Sequence, residues 1–233
     1  LSSRREYTKA SPFVVLLGTG DHEVTSSWTI PDGPVCQSVL GITRSNIKFI
    51  GKGIGETTIL GGIGIHNKQN ITLKQLTVTN TNRQGPGIGI SLHGALVELV
   101  DVLTARCNGN GIYVRYDVAS PSQLVATRCE MSNNGASGLS IVHYNNIPNN
   151  VCLKNCISHH NSGYGIYVEG TGVVNIHGDA TAIHSNVGHG IFAANSGKVL
   201  LHLPSHHTCN TIFNNGQQDR HTSMGGTITN VEE

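Results

Sequence analysis

Arg115, Tyr116, Asp117, His143 and Glu169 are the side chains of this sequence best suited to act together. His143 or Tyr116 fits a general base, and Arg115 fits the neutraliser of a substrate's negative charge. Asp117 and Glu169 fit the alternative of an acid/base pair for glycoside hydrolysis. His93, Tyr113, Tyr144 and Tyr167 fit the substrate-binding part: tyrosine rings cover sugar faces, and Arg115 can fork onto a uronate carboxylate. These nine residues belong to a longer outward set that adds Ser91, Ser140, Phe192 and Asn195. The plain alternative is that they are solvated residues of a sheet that must expose something polar.

What would bring them together is a repeat. Asn134-Gly-Ala-Ser-Gly-Leu, Asn161-Ser-Gly-Tyr-Gly-Ile and Asn186-Val-Gly-His-Gly-Ile are three copies of one phrase, placing Leu139, Ile166 and Ile191 in a column 27 and 25 residues apart. The column is expected to extend back through Ile112, Ile90 and Ile65. A second set of apolar pairs, Ile71/Leu73, Val97/Leu99, Val151/Leu153, Val174/Ile176 and Val199/Leu201, recurs at the same period. Short strands repeating every 22 to 27 residues pair with their own copies in the next coil, about 4.8 Å apart, and close into a solenoid with Ile, Val and Leu inside. Asn134, Asn161 and Asn186 form another column, read as left-handed turn residues joined in an asparagine ladder, with Cys107 in that place one coil earlier. Two insertions, from Asp117 and from Tyr144, leave consecutive coils at one place and are expected to wall one edge of the outward face.

Composition agrees with many short strands. Charged residues are 12% and Gly is 29 of 233, against usual shares of roughly 25% and 7%. The net charge of +1 gives no bulk electrostatic case for nucleic acid, and no apolar run approaches the length of a membrane helix. The chain starts at Leu1, which fits a processed or trimmed product.

The repeated Asn-x-x-x-Gly-Ile-Tyr-Val phrase resembles the right-handed parallel β-helix repeat of the pectin-lyase-like superfamily. The opening, Val14-Val-Leu-Leu-Gly-Thr-Gly-Asp-His-Glu-Val, then Trp28-Thr-Ile and Ile47-Lys-Phe-Ile-Gly-Lys-Gly, resembles how such domains begin. The C-terminal coils are similar to carbohydrate-binding and sugar-hydrolase repeat domains of eukaryotic F-box-type proteins. The resemblance covers roughly residues 13 to 230. It implies an all-β fold: a single-stranded right-handed parallel β-helix of about eight coils over residues 13–233, with an N-terminal cap over 1–12. It also implies that any site lies in a groove along one sheet face.

The motifs of related enzymes are mostly missing. Of the set carried by polygalacturonase-like hydrolases only Gly188-His189-Gly190 is present, as one more copy of the turn phrase, so His189 is assigned to the turn. The Asp-Pro-His of alginate-epimerase-like enzymes is absent. Glu98, Asp101, Asp117 and Glu169 share no column that would hold calcium. Cys129 and Cys156 are read as stacked buried thiols in preference to a disulfide or metal pair, and Cys152-x-x-x-Cys156 has no second pair to complete a zinc site. His159 and His184 share a column with His160 beside it, and His202, His206 and His207 form another group; both are read as stacked turn histidines. No metal or organic cofactor is called for.

The sequence therefore points to a non-catalytic module binding a glycan or a protein partner through its outward face. A polysaccharide lyase, epimerase or hydrolase is one alternative. A structural subunit of a larger assembly is another, with Phe192, Leu200 and Leu203 as its outward apolar residues.

Overall fold

The structure, a computed structural model, describes residues 6–29, 35–82, 85–92, 95–116, 123–143, 150–202 and 211–231. Those residues form a parallel β-solenoid. One sheet has fifteen strands and the other eight, and a two-stranded antiparallel hairpin joins Trp28–Thr29 to Val35–Cys36. The solenoid makes about six turns, slightly fewer than the eight coils expected. Eight strands line the second sheet.

Two left-handed corners recur along the described coils. The first bends the strand of the larger sheet at Gln75, Asp101, Arg128 and Asn155, with φ between 51° and 55°, and at Gly178, with φ 94°. The second corner carries Arg106, Asn133, His160, Ser185 and Asn214, with φ of 53° to 55°. Asn134, Asn161 and Asn186 each follow this corner and are not themselves left-handed, contrary to the sequence expectation. Their work is in the side chain. Each is about 1% exposed or less, and the amides run as a continuous ladder. Asn134 Nδ2 donates to Asn161 Oδ1, Asn161 Nδ2 to Asn186 Oδ1, and Asn186 Nδ2 to Asn215 Oδ1, each at 2.9 Å. Asn215 Nδ2 then donates to the Asp219 carboxylate at 2.8 Å, which ends the row with an acceptor. The ladder satisfies amide groups that a buried turn would otherwise strand.

The core is a stack of aliphatic side chains from both sheets. Ile63, Ile88, Ile112, Leu139, Ile166 and Ile191 lie in register along the second sheet, none more than 1% exposed. This corrects the expected column. Ile65 and Ile90 sit two residues further along, paired with each other and then with Val114, Ile141 and Val168. A slip of two residues returns a strand to the same face, so hydrophobic patterning alone does not separate the two registers.

The outward face of the second sheet is closed at its N-terminal end. Gly41 and Gly64 lie under the Trp28 indole, where an added Cβ would meet ring atoms at 2.0 and 2.3 Å. Only glycine admits that approach. Tyr7 packs edge-on against Phe13 at 5.0 Å, with the Arg44 guanidinium 5.2 Å over its ring.

Candidate functional site

From Gly89 onward strand register orders the residues of the same face into two rows, in which Ser140 and Ala194 are each only 5% exposed. The first runs Gly89, Tyr113, Ser140, Tyr167, Phe192 and His221. The second runs Arg115, Val142, Glu169 and Ala194, with the backbone of Ser91 in register beside Arg115. Four of the expected site residues, Tyr113, Arg115, Tyr167 and Glu169, are therefore brought onto one face. Ser140 and Val142, both small, separate the Tyr113/Arg115 pair from the Tyr167/Glu169 pair. The gap spans two strand spacings, about 9.6 Å. Tyr116 and His143 are the last residues of the strands Ile112–Tyr116 and Leu139–His143. His93, Asp117 and Tyr144, with the two insertions, lie outside the described residues.

Glu169 is held in place. Tyr167 Oη donates to Oε2 and Asn195 Nδ2 donates to Oε1, each at 2.8 Å. Tyr167 is held in turn by Tyr164 at 5.5 Å and Phe192 at 5.4 Å between ring centroids. Behind them the Tyr164, His189 and His221 rings are nearly parallel, with neighbouring centroids 5.6 and 4.3 Å apart. Rings stacked along the solenoid axis turn their faces to one another and their edges to solvent. The stack therefore braces Tyr167 more than it offers ring faces to a ligand.

His189 thus does more than complete a turn. Its Nδ1 accepts the Gln218 N–H at 3.0 Å, which fixes the neutral ring with its proton on Nε2. The signal was available in the phrase Asn-x-x-x-Gly-Ile, whose third variable position holds Asn110, Ser137, Tyr164, His189 and Gln218 in successive coils. His221 follows Phe192 in the outward row, but a 29-residue interval hides that link.

The other histidine groups lie on the larger sheet. His159 and His184 stack at 5.1 Å and 7° in the strands Ile157–His159 and Ala182–His184, so they are strand residues and not turn residues. His159 Nε2 meets the Glu130 carboxylate at 3.0 Å, and Phe213 covers His184 at 4.9 Å. His202 stacks on His177 at 4.2 Å, while His206 and His207 lie outside the described residues. Among the described residues no three His, Cys, Asp or Glu side chains converge as metal ligands. Asp101 is instead gripped by Arg128 at 2.7 and 2.9 Å, and that hydrogen-bonded guanidinium holds its carboxyl below the usual range. Cys129 and Cys156 are buried free thiols, whereas Cys152 faces the opposite side of its strand. Burial pushes the Cys107 thiol up to about 11, so it is not a nucleophile at neutral pH.

Burial holds both His184 and His189 below the ordinary imidazole range, and neighbouring imidazoles add to this: His159 and His160 for His184, and His221 for His189. The folded chain thus binds protons less readily than the unfolded one. Stability is full above the unfolded imidazole pKa of about 6.5 and falls as pH drops through it towards the folded values. The melting temperature is expected to hold above pH ~7.5 and decline towards pH ~5. His184→Phe, which keeps the ring stack without the titrating nitrogen, should make the decline shallower. A flat profile in the parent protein would contradict this.

The family model described as "Right handed beta helix region" matches residues 37–181. The chain belongs to the right-handed β-helix family. No curated protein matches it. Among solved structures, the A-module of the Azotobacter vinelandii mannuronan C-5 epimerase AlgE6 is similar at 14% identity and a TM-score of 0.49, over 95% of this chain and 68% of that one. The AlgE4 A-module of the same organism is similar at 14% identity and a TM-score of 0.31, over 96% and 90%. Matches this distant concern the trace of the backbone and not its chemistry.

Proposed function

We propose that this β-helix is a non-catalytic module that binds an acidic saccharide across three coils of its second sheet. The observation that carries this is the register: Tyr113 and Arg115 stand on one coil and Tyr167 and Glu169 two coils on, with only Ser140 and Val142 between them. Tyrosine walls suit sugar C–H faces, the guanidinium suits a uronate carboxylate, and a fixed carboxylate accepts sugar hydroxyls. His93, Tyr116, Asp117, His143 and Tyr144 are proposed as further contacts on sequence grounds alone. The non-catalytic part rests on Glu169. Both its oxygens already hold a fixed donor, which suits an orienting acceptor better than a proton-exchanging acid. No second carboxylate stands in either row among the described residues.

The test is calorimetric titration with uronate and neutral oligosaccharides. Uronate oligomers are expected to bind, and Arg115→Ala/His143→Ala to weaken that binding tenfold or more, about 1.4 kcal/mol. Absence of binding, or binding indifferent to the double substitution, would overturn the assignment. Turnover of the polysaccharide would overturn its non-catalytic part.

A further inference from the structure

A shallow, open depression lies at the solenoid's second left-handed corner. It has a volume of about 420 Å³ and is lined by residues of three successive coils. Arg106, Asn133 and His160 form one bank, and Asn108, Gly135 and Ser162 the other. The floor is the backbone of Cys107 and Asn134, whose side chains turn inward, Asn134 to the ladder and Cys107 to the Val78 and Ala105 carbonyls. The corner is left-handed in five successive coils, but its residue types are not dictated by that conformation. Asn or Gly would serve best, yet Arg106 and His160 stand there.

The bank side chains are exposed, and several are uncommitted. Arg106, Asn133 and Ser162 make no side-chain hydrogen bond or ion pair among the described residues. His160 meets the ring of His159 through its Nδ1, at 2.6 Å between the two Nδ1 atoms. The nearby carboxylate, Glu130, is already engaged on one oxygen by both Ser132 Oγ and His159 Nε2. An open polar depression with a guanidinium at one end, an amide in the middle and an imidazole at the other is complementary to an anionic group on an extended, hydroxyl-rich strand. Arg106 and His160 are two coils apart, about 9.6 Å, so a ligand meeting both must be longer than a single pyranose ring.

We propose that the Arg106–Asn133–His160 corner is a second binding site, specific for the anionic group of a carboxylate- or sulfate-bearing glycan strand, with Arg106 as its anchor. The site stands apart from the tyrosine-walled face and does not depend on it.

Arg106→Asn tests this with little risk to folding, because Asn tolerates the left-handed corner better than Arg. Polygalacturonate oligomers probe the carboxylate source, dextran sulfate the sulfate source, and uncharged dextran is the control. For the wild type, calorimetry is expected to give two sites per chain for at least one anionic probe. Arg106→Asn should leave one, with an unchanged or higher melting temperature. Arg115→Ala, on the other face, should spare the corner component. If the tyrosine-walled face binds nothing, the wild type shows one site and Arg106→Asn weakens it at least tenfold. Stoichiometry and affinity unchanged by Arg106→Asn would overturn the corner site. So would loss of binding accompanied by a lowered melting temperature, or equal weakening of uncharged dextran.

Discussion

Asn161→Ala is expected to destabilise the protein by about 4 kcal/mol, from several buried partners at about 1–3 kcal/mol each. Asn161 Oδ1 accepts from the backbone N–H of Asn134 at 3.1 Å and from its side-chain amide at 2.9 Å. Its Nδ2 donates to the Met131 carbonyl at 3.0 Å and to Asn186 Oδ1 at 2.9 Å. Asn161 is 0% exposed, so water cannot replace it at any of these groups. Asn215→Ala removes the last amide of the same row, where the chain is half open to solvent and Asp219 stands beside it, and should cost only about 1 kcal/mol. Urea unfolding of the two variants checks the contrast. Equal, small losses would mean that the ladder is ornament on a stack held by its aliphatic core alone.

Tyr167→Ala is expected to weaken uronate binding by more than twentyfold, the largest single effect on the proposed face. The side chain has two tasks. Its ring forms one wall of the groove, and its hydroxyl orients Glu169 at 2.8 Å. Tyr167→Phe separates them, since it keeps the wall and its packing on Phe192 and Tyr164 but frees one oxygen of Glu169. It should cost about three- to tenfold, in line with the roughly 1 kcal/mol of a single hydrogen bond. Equal losses in both variants would assign all of the effect to the hydroxyl. No loss in either would remove Tyr167 from the site.

Much of this was legible in the chain. A phrase repeated every 25 to 27 residues with Ile or Leu at a fixed place leaves few folds open, and outward alternation along the strands puts Tyr113, Arg115, Tyr167 and Glu169 on one face. What stayed hidden depended on distances the repeat does not encode. The two-residue slip of Ile65 and Ile90 preserves the pattern it would have to break. Asn215 extends the ladder across a 29-residue interval that looks like an irregular end. Asn195 reaches Glu169 from a neighbouring coil, and Trp28 covers Gly41 and Gly64 from a hairpin outside the repeat. Gly41 and Gly64 read as strand-weakening residues in the sequence, and their reason is a ring that only the folded chain supplies.

The most direct test of the saccharide-binding face is carbene footprinting of the protein with and without a saturating uronate oligosaccharide, read residue by residue by mass spectrometry. Protection is predicted at Tyr113, Arg115 and Tyr167 on the second sheet, with the stacked His177 and His202 on the larger sheet unchanged. Protection absent from all three, or confined to the larger sheet, would contradict the assignment of this face as the site of binding.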